Sequence, residues 1–161
     1  MINKILAFLF CFWLFSYNAI ADEHNNKFSV ADPNYQITFP RDHGPHENFR
    51  IEWWYLTANL KSESIENLGV QWTLFKSNLM PISSKKPGHL NGFWMAHSAI
   101  TTNELHYFEE RFAREESGLA GVKLDPFKAW IDNWSIIGDD QLGTIQLNSS
   151  GVQFSFSLKF S

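Results

Sequence analysis

The stretch Phe49-Arg50-Ile51-Glu52-Trp53-Trp54-Tyr55-Leu56-Thr57-Ala58-Asn59-Leu60 decides the fold class. Aromatic and β-branched residues crowd it, and neither Pro nor Gly interrupts it. Such runs favour extended chain, because bulky side chains fit a pleated surface. A strand sends alternate side chains to opposite faces. One face therefore carries Phe49, Ile51, Trp53, Tyr55, Thr57 and Asn59, and the other Arg50, Glu52, Trp54, Leu56, Ala58 and Leu60. If the second face points inward, Glu52 stands at the rim of an apolar interior.

The same signals recur downstream. Stretches 69–75, 93–102, 129–137, 143–148 and 152–160 read as strands, parted by turn-forming residues such as Gly138-Asp139-Asp140 and Ser149-Ser150-Gly151. In the last of them Val152, Phe154, Phe156, Leu158 and Phe160 alternate strictly with polar residues. The stretch 103–116 is ambiguous: Leu105, Phe108 and Phe112 have helical spacing, yet Tyr107-Phe108-Glu109 also extends as strand. Short strands without sustained amphipathic helices predict an all-β protein, an antiparallel barrel or sandwich.

Ahead of this lies a leader. Lys4 precedes an apolar run from Ile5 to Phe15, and Ala19-Ile20-Ala21 supplies the small residues two apart that signal peptidase recognises. The run falls short of the ~20 residues that span a bilayer. Residues 1–21 are thus expected to be a signal peptide, 22–38 a flexible lead-in and 39–161 the domain. The protein is then exported, to a bacterial periplasm or to the outside, with no transmembrane segment once the leader is removed. The mature part has 12 basic and 17 acidic residues, a net charge of −5. It lacks the clustered Lys and Arg that nucleic acid requires. Its single cysteine, Cys11, leaves with the leader, so no disulfide supports the fold. The chain stops at Ser161 inside a half-apolar strand pattern, an open edge that natural domains avoid. The expectation is a truncated, incomplete barrel.

One string narrows this further. Phe39-Pro40-Arg41-Asp42-His43-Gly44-Pro45-His46, followed by Arg50-Ile51-Glu52-Trp53-Trp54-Tyr55-Leu56-Thr57-Ala58-Asn59-Leu60, resembles the opening motif of the lipocalin-like family of AttH proteins and carotenoid 1,2-hydratases (hydroxyneurosporene synthase). Trp94-Met95-Ala96-His97-Ser98-Ala99-Ile100-Thr101, Glu110-Arg111-Phe112-Ala113-Arg114-Glu115, Gly118-Leu119-Ala120-Gly121 and Trp130-Ile131-Asp132-Asn133-Trp134 extend the resemblance to the chain end. It implies a lipocalin-like fold. Family members carry two such halves and this chain resembles only the first, so a second lipocalin-like half is a candidate partner. The short glycine-and-tryptophan signature of ordinary lipocalins is not evident near the first strand.

The chemistry-bearing residues cluster in the same region. Asp42, His43, His46 and Glu47 place four titratable groups in six residues, able to relay protons near neutral pH, or else to fix a loop through Arg41-to-carboxylate and His-to-backbone bonds. Their spacing sets no metal geometry, and no metal or other cofactor is implied. Glu52 is a general acid if burial raises its pKa, or a structural partner of Arg50 or Arg41. His97, among Phe93, Met95 and Ala99, is either a satisfied core histidine or a proton donor facing a cavity. Arg111 and Arg114 are expected to brace the structure through Glu109, Glu110 or Glu115. Of the indoles, Trp53, Trp54 and Trp94 are expected, with Tyr55, His43 and His46, to line a pocket for a flat or extended apolar ligand, while the others fill the core.

Three functions compete. The first is an exported module binding a lipid or isoprenoid in an aromatic-lined barrel. The second is a hydro-lyase similar to carotenoid 1,2-hydratase, with Glu52, His97 or Asp42 protonating an isoprenoid double bond and indole faces stabilising the cation. A hydrolase reading finds no nucleophile motif. The third is an inactive fragment of a two-domain family member.

Overall fold

The computed structural model describes residues 27–161, except 62, 64, 65 and 140–142. The expected leader and the first residues of the lead-in lie outside the described residues.

Nine strands form two antiparallel meanders among the described residues. The first sheet orders β1 (Ile51–Leu60), β2 (Leu68–Asn78), β3 (Gly92–Thr101) and β4 (His106–Arg114) side by side. The second orders β5 (Ala120–Lys123), β6 (Lys128–Ile131), β7 (Trp134–Gly138), β8 (Ile145–Ser150) and β9 (Ser155–Phe160). Neither sheet closes on itself, so the lipocalin-like architecture is realised as an open sandwich.

The ambiguous 103–116 stretch is strand β4. A spacing of four, as between Phe108 and Phe112, fits both the helical and the strand period; on β4 both side chains point outward and are exposed. The expected single strand 129–137 is two strands, because Asp132-Asn133 makes a two-residue hairpin loop with Asp132 at φ 54°. β5 is a strand that the turn signals around Gly118 concealed. At the chain end Val152 is 99% exposed, since 151–153 turns before the ladder begins at Ser155.

The inner faces meet in one core. Val70, Trp72 and Leu74 of β2 and Trp94 and Ala96 of β3 pack with Ala129, Ile131, Trp134, Ile136 and Leu147 of the second sheet. Trp72 and Trp134 are fully buried. Trp72 and Trp134 thus fill the space between the sheets as expected of core indoles, and Trp94, expected to line a pocket, is buried there with them. The inward side chains of the free edge strands are less covered: Leu56, Ala58 and Leu60 on β1, and Phe156, Leu158 and Phe160 on β9, are only half-buried.

Polar clamps join the sheets. Ser98 Oγ and Ser149 Oγ lie 2.8 Å apart in the core. Arg111 does not pair with Glu109, Glu110 or Glu115. Its guanidinium lies 4.4 Å over the Trp134 ring, donates to Asp132 and Asn133, and reaches the Ser150 carbonyl at 2.8 Å. Glu109 instead accepts from the Gln153 N–H at 2.7 Å. Arg111→Ala is expected to lower unfolding stability by about 2 kcal/mol in urea titration, through lost charge-assisted bonds and lost stacking. A loss under about 0.5 kcal/mol, the range of ordinary surface substitutions, would show that the clamp is dispensable.

Candidate functional site

The loop before β1 folds back over one end of the sandwich. A single 3-10 turn at Arg41–His43 leads to Gly44, where a Cβ would stand 3.1 Å from Leu124 Cδ1 and 3.2 Å from the Arg41 carbonyl. A side chain there would require Leu124 or the Arg41 carbonyl to give way by a few tenths of an ångström. The His43 ring stacks on Phe39 at 4.1 Å and tilts towards Phe127 at 6.1 Å, while its carbonyl accepts from the Trp54 indole N–H at 2.9 Å.

This seating brings His46 onto Glu52. The His46 backbone N–H donates to Glu52 Oε1 at 2.7 Å and Oε2 at 2.9 Å, and the ring Nδ1 lies 2.7 Å from Oε1. The carboxylate is thereby committed as an acceptor. The expected Arg50 and Arg41 partners go elsewhere: Arg50 lies over the Phe28 ring at 5.4 Å, and Arg41 grips Asp42. The opposite ring nitrogen, His46 Nε2, is 3.4 Å from Asp42 Oδ1, so one imidazole stands between two carboxylates. Asp42 also accepts from Arg41 Nε at 2.6 Å, the Tyr35 hydroxyl at 2.9 Å and the Thr38 N–H at 2.6 Å. Its hydrogen bond to the Arg41 guanidinium, opposed by burial and aided by Thr38, Tyr35 and His46, holds this carboxyl far below the usual range. An anion so fixed anchors the loop and is a poor proton donor at neutral pH.

An ionic group that the sequence reading did not assemble lies beside this pair. Register places Lys76 opposite Glu52 on the inward row. Lys76, with a 3% exposed side chain, lies 2.5 Å from Glu47 Oε1, 3.7 Å from Glu115 Oε1 and 5.5 Å from the centre of the Trp94 ring. Lys85 completes the group, 2.6 Å from Glu115 and 3.3 Å from Glu47. Burial works to raise the pKa of Glu47 and lower that of Lys85, but in each case the opposite charges outweigh it and favour the ionised form. Gly92 makes room: a Cβ there would meet Ser77 O at 2.7 Å and Glu115 Oε2 at 2.8 Å.

An open cleft of about 330 Å³ adjoins the dyad, lined by Asp42, His43, Gly44, His46, Glu52, Trp53, Trp54 and Phe127. Six of the nine candidate residues thus converge. Trp94 is buried below Trp54, with ring centres 6.1 Å apart. Tyr55 points outward from β1 and is 66% exposed. His97 also faces outward, neither in the core nor in the cleft, between Phe75 at 5.6 Å and Phe108 at 5.3 Å and 3.9 Å from Glu110. Among the described residues no group of three or more His, Cys, Asp and Glu is arranged to hold a metal ion, and no helix is long and apolar enough to cross a membrane.

The Asp42 anchor has a definite pH signature. Its native carboxyl holds a proton less tightly than in the unfolded chain, so its stabilisation is complete above the ordinary aspartate pKa, about 4, and is lost as pH falls below it towards the depressed native value. The difference in urea midpoint between wild type and Asp42→Asn is expected to stay constant from about pH 5 to 8 and to shrink below about pH 4. A difference that grows on acidification would contradict this assignment.

Comparison with known proteins bears on the family and the fold. The family model described as AttH-like matches residues 30–161. A crystal structure of a Nitrosomonas europaea protein described as a candidate AttH superposes with a TM-score of 0.68 at 22% identity, over 82% of this chain and 40% of that one. The chain accordingly spans less than half the length of that protein. No curated protein matches. With the family model covering the loop, the dyad and both sheets, the chain belongs to the AttH-like family.

Proposed function

We propose that this protein is an exported module that binds an apolar ligand, a lipid or isoprenoid, at the open end and edge of its sandwich. The carrying observation is the inward row of β1. It begins at Glu52 in the dyad cleft, passes Trp54, and continues through half-buried Leu56, Ala58 and Leu60. At ~3.4 Å per residue the row is about 27 Å long, enough for an extended chain of some twenty carbons. Asp42 and Glu52 disfavour an anionic head group there, so the geometry supports a neutral head such as a hydroxyl, which would take His46 Nε2 in place of its long 3.4 Å contact with Asp42.

Retinol serves as the probe. Saturable one-to-one binding is expected by fluorescence, with retinoic acid at least about fivefold weaker because its carboxylate meets two carboxylates. Leu56→Lys, which puts an ammonium midway along the row, is expected to weaken retinol at least about tenfold with an unchanged far-ultraviolet spectrum. Absence of saturable binding to either probe would overturn the proposal and favour an inactive fragment.

One observation favours a second reading, acid-catalysed hydration of an isoprenoid double bond. An imidazole between two carboxylates is suited to carry a proton, and Glu52, already accepting from His46, orients that ring. The proton would pass from His46 to the less substituted alkene carbon; water would add its oxygen to the tertiary cation and return a proton to the ring. Product formation by the wild type, abolished in His46→Gln, would establish it. Retained turnover in that variant would refute it.

A further inference from the structure

The outward face of the four-stranded sheet does not look like a solvated surface. In a two-layer sandwich the outer face is ordinarily polar, and the last two strands of the second sheet obey this with Gln146, Asn148, Ser155, Ser157 and Lys159. The first sheet instead carries a row of large apolar side chains, one from each strand and in register: Trp53, Phe75, Met95 and Phe112. Trp53 is 57% and Phe112 62% exposed. Contiguous apolar surface of this kind marks an interaction site.

The flanking rows identify what fits. On one side of the aromatic row, register sets Ile51, Ser77, Phe93 and Arg114; on the other it sets Tyr55, Thr73, His97 and Glu110. The two rows match position by position: apolar with aromatic on β1, hydroxyl with hydroxyl on β2, ring with ring on β3, and cation with anion on β4. A two-fold axis laid along the aromatic row exchanges these rows between two copies. Each copy's Arg114 then faces the other's Glu110, and the aromatic row packs on its own counterpart.

We infer that this face is the interface of a homodimer, two copies packed sheet to sheet with the axis along Trp53–Phe75–Met95–Phe112. Such an isologous contact needs one self-complementary patch, and aligned sheets pack face to face at about 30°. Four strands ~4.8 Å apart and about 33 Å long offer roughly 600 Å² in plan, approaching the about 800 Å² per partner of standard interfaces. The proposal does not rest on the ligand site, whose apolar row lies on the opposite face of β1.

Sedimentation velocity on the purified protein tests it. A dimer is expected at tens of micromolar, and Phe112→Ser is expected to leave a monomer with an unchanged far-ultraviolet spectrum. Arg114→Glu sets like charges opposite each other and is expected to weaken the dimer about tenfold. The double variant Arg114→Glu/Glu110→Arg restores the pairing and is expected to return the dissociation constant to within about threefold of wild type. A monomeric wild type overturns the inference, as does a dimer that the single charge reversal does not weaken or that the charge swap does not restore.

Discussion

Burial of the Trp72 and Trp134 indoles between the sheets is the constraint on which everything else rests. Each sheet is a simple meander whose inward face cannot remain in water, and one core solves the problem for both. The solution also fixes register. A slip of one residue in β2 would expose Trp72 and Leu74 and bury Thr73 and Phe75 in their place, a change that costs several kcal/mol per large side chain. With β2 fixed, pairing fixes β1, and Glu52 falls opposite Lys76 at the rim of the apolar layer. The position of the site is therefore a consequence of core packing.

That placement creates an electrostatic problem. Ionised groups at the end of an apolar layer lose hydration, and an uncompensated charge there is strongly destabilising. The chain satisfies each group locally. Glu52 has the His46 N–H and ring, Asp42 has Arg41, Tyr35 and Thr38, and Lys76 has Glu47 and Glu115. The result is a rigid polar cap in which the His46 ring, 34% exposed, is the member left facing the cleft. Preorganisation of this kind suits recognition of one polar group better than a mobile loop would.

The all-β class, the two alternating faces of β1 and the closeness of Asp42, His43 and His46 were legible in the sequence, because strict alternation and a Pro-Gly loop are local signals. That Glu52 takes the place beside them that Glu47 was expected to hold was not. The hairpin at Asp132-Asn133 was missed, because its only sequence signal is a change of phase: inward residues are odd-numbered to Ile131 and even-numbered from Trp134. Lys76 is the same lesson reversed. It continues the inward phase of Val70, Trp72 and Leu74, and its charge disguised a strand that runs on to Asn78. Which carboxylate takes Arg41, and which takes His46, was not legible. That choice depends on the loop docking against Leu124 and Phe127, more than seventy residues downstream.

The two faces of β1 have one residue in common. Trp53 belongs to the outward aromatic row, yet it is also among the residues that line the dyad cleft. A ligand whose contact with that indole differs between the free and the paired protein shifts association by the same free energy by which association shifts ligand affinity. The size of the coupling is bounded by what one indole contributes, on the order of 1–3 kcal/mol. A single edge strand, exposing a different surface at every second residue, is thus sufficient to link occupancy at the end of the sandwich to pairing across its side.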